Sequence, residues 1–373
     1  MILGKILKPN TICSLILLLT FLFSCSQKRN NYKVIEKNGV TIVRNKSYPL
    51  DRDISIELKE VLTLNGETLF THIADVEIDS YGNYYLLEVA KAKIHKFDRE
   101  GNYIKTLGNQ GQGPGEFYCA YDIIINNDTI YIPDSQQNKV VKYNLDGNFI
   151  GDKIYEGINR NPNFLKKVGN GFISSSFLSS RVPVSKIKTI KNISYYDENL
   201  DKVNDIYSVE NFININDREF DQSQILMESN SKGLIYCYFS NIDKYRIELI
   251  DTNGNKRGVV EKNYKRIPFS EDQKIKNRSG KLFKNSSLYK FSLYGIYVDK
   301  SDYLWITPSM ENNLNKYKVI DLFDQKGIFL NRVELKKIPK TYTIYLKRDK
   351  LIAYDFKEDM VKVFDYAVKH NLK

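Results

Sequence analysis

The chain has 373 residues, 42% of them hydrophobic and 27% charged, with 4 Cys, 9 Pro and 20 Gly, and its formal net charge is +11. That composition excludes a collagenous, disordered or disulfide-dense chain and allows one large repeat-built core or two ordinary domains. The three histidines, His72, His95 and His370, are too scattered in sequence for a His-rich metal or proton-relay site.

Residues 1–24 read as a secretory signal. Lys5 and Lys8 precede the apolar run Ile12 to Phe23, which is short for a membrane span. The segment ends in Leu22-Phe23-Ser24-Cys25, which resembles a bacterial lipobox: an apolar residue, a small one just before the cysteine, and Cys25 as the residue lipidated at the mature N-terminus. Residues 25–37 are then a polar tether on a lipid held by its buried methylenes, and 38–373 the folded domain. Cys13 leaves with the signal and Cys25 carries lipid, so Cys119 and Cys237 remain and are read as separate small core residues. Outside the cytoplasm, the basic excess suits anionic lipid headgroups, acidic glycans or solubility, not nucleic acid.

From residue 55 onward the pattern is strand and turn. Ser55 to Leu64 alternates like a strand. A repeat unit follows, made of a strand, a tight turn, a second strand, a polar loop and a third strand that ends in an aromatic-Asp-x-x-Gly turn. The clearest copy runs Ile73 to Asp79, turns at Ser80-Tyr81-Gly82-Asn83, and continues as Tyr84 to Glu88 and Lys93 to Asp98. The closing turn recurs as FDREGN, YNLDGN, YDENLD, IDTNGN, FDQKGI and FDYAVK. Its leaders are Phe97, Tyr143, Tyr196, Ile250, Phe323 and Phe364, spaced 46, 53, 54, 73 and 41 residues apart. The third and sixth copies lack the turn glycine. The first hairpins of the later four copies run Leu165 to Ser176, Ile225 to Phe239, Tyr294 to Thr307 and Thr343 to Asp355.

A unit of about 50 residues suits a four-stranded antiparallel sheet that cannot bury both faces alone, and radial stacking solves that problem. The sequence therefore predicts an all-β, six-bladed propeller of four-stranded antiparallel blades. The last copy supplies only three strands, so the N-terminal strand at 55–64 is expected to complete it and close the ring.

The run Gly108-Asn109-Gln110-Gly111-Gln112-Gly113-Pro114-Gly115-Glu116-Phe117, taken with FDREGNYIKTLG and the lipobox, resembles the six-bladed β-propeller lipoproteins of Gram-negative envelopes, relatives of NHL-repeat and TolB-like propellers. Ile130 to Val140 is similar to an NHL repeat core. The resemblance implies an envelope propeller and no particular reaction, because the fold hosts binders, scaffolds and lyases alike.

Among site candidates, the glycine run lacks the following helix of a phosphate loop and reads as an inter-blade connection, with Phe117 to Tyr121 as strand. Glu88, Asp134 and Asp355 recur at the end of the second strand of three blades. They are read as satisfying their own loops or, alternatively, as a channel-mouth site for a divalent cation such as calcium. GxSxG, HExxH and CxxC are absent from the sequence. Eleven basic residues fall between Asn255 and Lys290, among them Lys274, Lys276 and Lys281, in an insertion near 255–290 where Ser270 has capping-box spacing. The expectation is a monomeric lipid-anchored module of the outer membrane, facing the periplasm or cell surface, with no cofactor and no nucleic acid. It binds a protein, peptide or glycan; a propeller lyase or hydrolase is the alternative.

Overall fold

The computed structural model describes residues 31–65, 70–156, 162–182, 186–214, 225–270, 289–311, 315–355 and 359–370. Every regular element among them is a β-strand. The chain opens with β1 (Tyr32–Lys37), β2 (Val40–Asn45) and β3 (Ile54–Asn65). Blade one is β4 (Ile73–Ile78), β5 (Tyr84–Glu88), β6 (Lys93–Phe97) and β7 (Tyr103–Leu107). Blade two is β8 (Ile124–Asn126), β9 (Thr129–Asp134), β10 (Lys139–Asn144) and β11 (Phe149–Ile154). Blade three is β12 (Leu165–Val168), β13 (Gly171–Val182), β14 (Lys186–Tyr196) and β15 (Lys202–Asn214). Blade four is β16 (Ile225–Ser229), β17 (Ile235–Phe239), β18 (Tyr245–Ile250) and β19 (Lys256–Lys262). Blade five is β20 (Leu293–Val298), β21 (Leu304–Pro308), β22 (Tyr317–Phe323) and β23 (Phe329–Pro339). Blade six is β24 (Thr343–Lys347), β25 (Lys350–Asp355) and β26 (Met360–His370), completed by β3.

The predicted six blades and the predicted closure are both present. Strand β3 pairs antiparallel with β26 from Ile54↔His370 to Asn65↔Met360, so residues from the two ends of the domain share one sheet. The first strand of each blade is innermost and touches the first strand of the next, around the whole ring.

Strand alternation explains the packing. In β5, Tyr85 and Leu87 enter the seam with blade two, while Tyr84 and Leu86 enter the seam with blade six. Six hydrophobic clusters result, one for each seam. Trp305, fully buried in the seam of blades five and six, donates its indole N–H to Asp299 Oδ2 at 3.1 Å.

The repeated turn is an Asx turn. Asp251 Oδ1 accepts the Asn253 N–H at 3.0 Å and the Asn255 N–H at 2.9 Å, with Gly254 at φ +83°. In the degenerate third copy Leu200 holds the left-handed position, φ +65°, and is buried against blade two. Seam packing there offsets the steric cost of the missing glycine.

Two differences from the sequence reading concern local structure. Residues 32–37, expected within the tether, form β1, because Asn38 (φ +51°) and Gly39 (φ +75°) close a tight hairpin with β2. That hairpin adds to blade four through a parallel pairing of β2 with β19, making a six-stranded sheet. Its buried Asn45 donates to Glu261 O and Gly327 O and accepts from Phe329 N, tying blade four to blade five. Second, Phe117 to Tyr121 is not a strand. The connection folds into turns in which Phe117 makes an isolated bridge to Gln110, Gln137 and Lys139 donate to Gly111 O and Gly113 O, and Phe117 is fully buried.

Candidate functional site: a charged central channel

All six innermost strands contribute to one open cavity of about 960 Å³ along the ring axis. Its mouth lies where those strands begin. Tyr121, Phe164, Phe177 and Tyr294 line it there, each an exposed aromatic. Phe177 comes from an arm the sequence did not announce. β13, β14 and β15 span 12, 11 and 13 residues, whereas β12 pairs only with Gly171 to Ser174, so the rest of β13 extends past the start of β12. Lys191 lies on the facing strand with its ammonium 5.5 Å from the Phe177 ring centre. The signal was available in the long β-branched and Ser-rich runs either side of residues 183–185.

Deeper in, the lining becomes ionic. Lys347 Nζ lies 2.5 Å from Glu77 Oε1 and 3.7 Å from Asp75 Oδ1. Burial opposes the Lys347 charge, but Asp75, Glu77 and Asp122 outweigh it and hold the ammonium above the ordinary lysine range. Burial pushes Glu77 up, with Lys347 pulling partly the other way. Asp122 is pushed well above the usual carboxylate range by burial, then by the nearby Asp75 charge.

These acids also join blades. Asp75 Oδ2 accepts Ile123 N–H at 3.2 Å, and Asp122 Oδ2 accepts Leu165 N–H at 2.7 Å, so each carboxylate caps the entry of the next blade's inner strand. On the same side, at the junction of blades six and one, Tyr345 and Tyr354 stack at 5.9 Å and both donate to Ala74 O. Lys166 completes the floor. Burial and Lys347 work against its charge, while Glu228, Asp122 and Asp75 hold it above the ordinary lysine range.

The carboxylates singled out in the sequence sit elsewhere. Glu88 accepts from Thr71 N–H and Oγ1, pairs with Lys91 Nζ at 2.9 Å and accepts from His95 Nε2 at 2.9 Å. Asp134 accepts from the backbone of Tyr118, Cys119, Gln136 and Gln137. Asp355 accepts from Thr341 Oγ1 at 3.1 Å. Each works within its own blade or the connection leading into it, none lines the channel cavity, and among the described residues no group of three or more His, Cys, Asp or Glu could hold a metal ion. His72 is exposed, Cys119 is half-buried and Cys237 is buried in the seam of blades three and four; both cysteines are free. Cys25, Lys274, Lys276 and Lys281 lie outside the described residues.

The sequence profile of a family described as a 6-bladed beta-propeller matches residues 26–347. The chain belongs to that family. Among solved structures, an exported protein of Bacteroides fragilis superposes with a TM-score of 0.54 at 13% identity, covering 88% of this chain and all of that one. A Bacteroides vulgatus protein gives 0.50 at 14% identity, covering 85% and 99%. Virginiamycin B lyase from Staphylococcus aureus gives 0.47 at 12% identity, covering 83% and 99%. At these identities the likeness is one of fold. No protein of curated function matches the sequence. Among the described residues of this propeller, no helix is long and apolar enough to cross a membrane.

Proposed function

We propose that this propeller is an exported module, anchored through lipid on Cys25 at the outer membrane, that binds a protein, peptide or glycan ligand in its central channel. The observation that carries the binding reading is the 960 Å³ channel, with an aromatic mouth and an ionic floor assembled from all six blades. Its size falls within the range of about 300–1,000 Å³ typical of ligand pockets. A propeller suits this use because the loops and the long blade-three arm vary the mouth without disturbing the seams. An enzyme built on Glu88, Asp134 and Asp355 draws no support from this geometry, since none of them lines the channel.

Two experiments test the reading. Labelled mature protein is screened on peptide and glycan arrays beside Phe177→Ala; hits lost in the variant support binding at the mouth, and hits retained in full place it elsewhere. For the anchor, metabolic labelling with a fatty acid should mark the wild type and not Cys25→Ala, which should move to the soluble fraction.

A further inference from the structure

We propose that the channel ligand is an anionic saccharide, a short chain of carboxylate-bearing sugar rings, with a carboxylate paired to the ammonium of Lys166. This rests on the channel being the binding site, and it adds the ligand class.

Charge comes first. Five cationic side chains and three carboxylates line the cavity, and Asp75 beside Lys347 adds a fourth carboxylate, so one cation is in excess. Glu77 is already neutralised by Lys347, and Arg348 donates to Ile78 O. Asp122 Oδ2 is committed to the Leu165 N–H. Among the described residues, the Lys166 ammonium has no hydrogen bond or ion pair; Glu228, Asp122 and Asp75 attract it through space. A cationic group held inside a channel with a cationic excess receives an anion. Lysine suits a carboxylate as a point charge, without the two-pronged geometry arginine would impose.

The rest of the lining selects a sugar. The aromatic rings at the mouth offer flat apolar faces for the C–H face of a pyranose, and Ser175, Ser176 and Asn163 beside them offer hydroxyl and amide partners for ring hydroxyls. An extended peptide would need a long free strand edge. The inner strands around the channel span only 3 to 6 residues, the shortest, β8 and β12, beside Lys166.

The test is calorimetric titration of the mature chain with trigalacturonate, with the neutral trisaccharide maltotriose, and with trialanine bearing a free carboxylate. Trigalacturonate should bind and maltotriose should not. Lys166→Met should weaken trigalacturonate by about tenfold or more at an unchanged melting temperature, and Lys166→Arg should retain most of the affinity. Equal binding of trigalacturonate to wild type and Lys166→Met overturns the inference, as does maltotriose binding as tightly, or no heat from trigalacturonate at millimolar concentration. Trialanine binding alone, lost in Phe177→Ala, overturns the saccharide while leaving the channel as the binding site.

Discussion

Lys262 Nζ meets Asp321 Oδ2 at 2.7 Å across the seam of blades four and five, and both side chains are buried. Arg332 takes the second oxygen of Asp321 at 2.6 Å, and the Lys262 ammonium sits 3.7 Å from the centre of the Phe329 ring. Burial would raise Asp321, but Lys262 and Arg332 together hold it below the usual carboxylate range. Its contribution is therefore complete above the ordinary value of 3.8 and is lost as the pH falls through the lower folded value. Asp321→Ala should cost about 3–5 kcal/mol at neutral pH, because it leaves Lys262 buried without its partner. Lys262→Met should cost less, since Arg332 still neutralises the carboxylate. Urea melts at pH 7 and pH 3 check both points: the gap between wild type and Asp321→Ala should narrow in acid.

His95 carries a second pH dependence. Glu88 can only accept, so His95 is protonated at Nε2 toward it, and Nδ1 accepts from Thr106 Oγ1 at 3.0 Å. Burial pulls the His95 pKa below its ordinary 6.5, against the attraction of Glu88. The folded state thus binds fewer protons than the unfolded chain just below pH 6.5, and stability falls as the pH drops through that window. Replacing His95 with Gln should flatten the wild-type loss between pH 7 and 5 in thermal melts. An unchanged slope would mean that His95 does not titrate differently on folding.

The ring was legible because its signals are local and repeated. Strand alternation, Asp-x-x-Gly turns and a missing sixth-blade strand are all written in contiguous residues. The N-terminal hairpin was equally local, since Asn38-Gly39 between Tyr32–Lys37 and Val40–Asn45 is a strong hairpin signal, but its first strand fell inside the stretch 25–37 read as tether. The channel floor was not legible. Asp75, Asp122, Lys166 and Lys347 come from four blades, and nothing in the spacing of residues 75 and 347 announces a 3.7 Å contact. Glu88, by contrast, stood out at a strand end because it caps its own loop, which is a local requirement of the fold. The prominent carboxylate serves its own loop, and the candidate site is made of side chains that share only a radius.

Two turn glycines should respond differently to alanine. A Cβ on Gly254 would sit 2.9 Å from the carbonyl oxygen of Ile206, a backbone atom, and the residue is at φ +83°. At Gly233, φ +76°, nothing lies within 4 Å. Gly233→Ala should cost about 1 kcal/mol for the left-handed backbone alone, and Gly254→Ala about 1 kcal/mol more for the forced shift of β15. Denaturant midpoints at constant slope measure the difference.

Closure through β3 gives the sharpest prediction about stability. Its Ile54 and Ile56 are buried in the seam of blades five and six, and Leu64 in the seam of blades six and one, so a single strand serves two cores. Leu64→Ala should cost about 2–5 kcal/mol. Deleting residues 50–65 should do far more, because it exposes the β26 edge and opens both seams in a ring whose blades each depend on two neighbours. The truncated chain should show strand signal without a cooperative thermal transition. A full cooperative transition in that truncation would mean that five complete blades and one of three strands can hold the ring alone. In that case the β3–β26 pairing trims an edge and does not lock the fold.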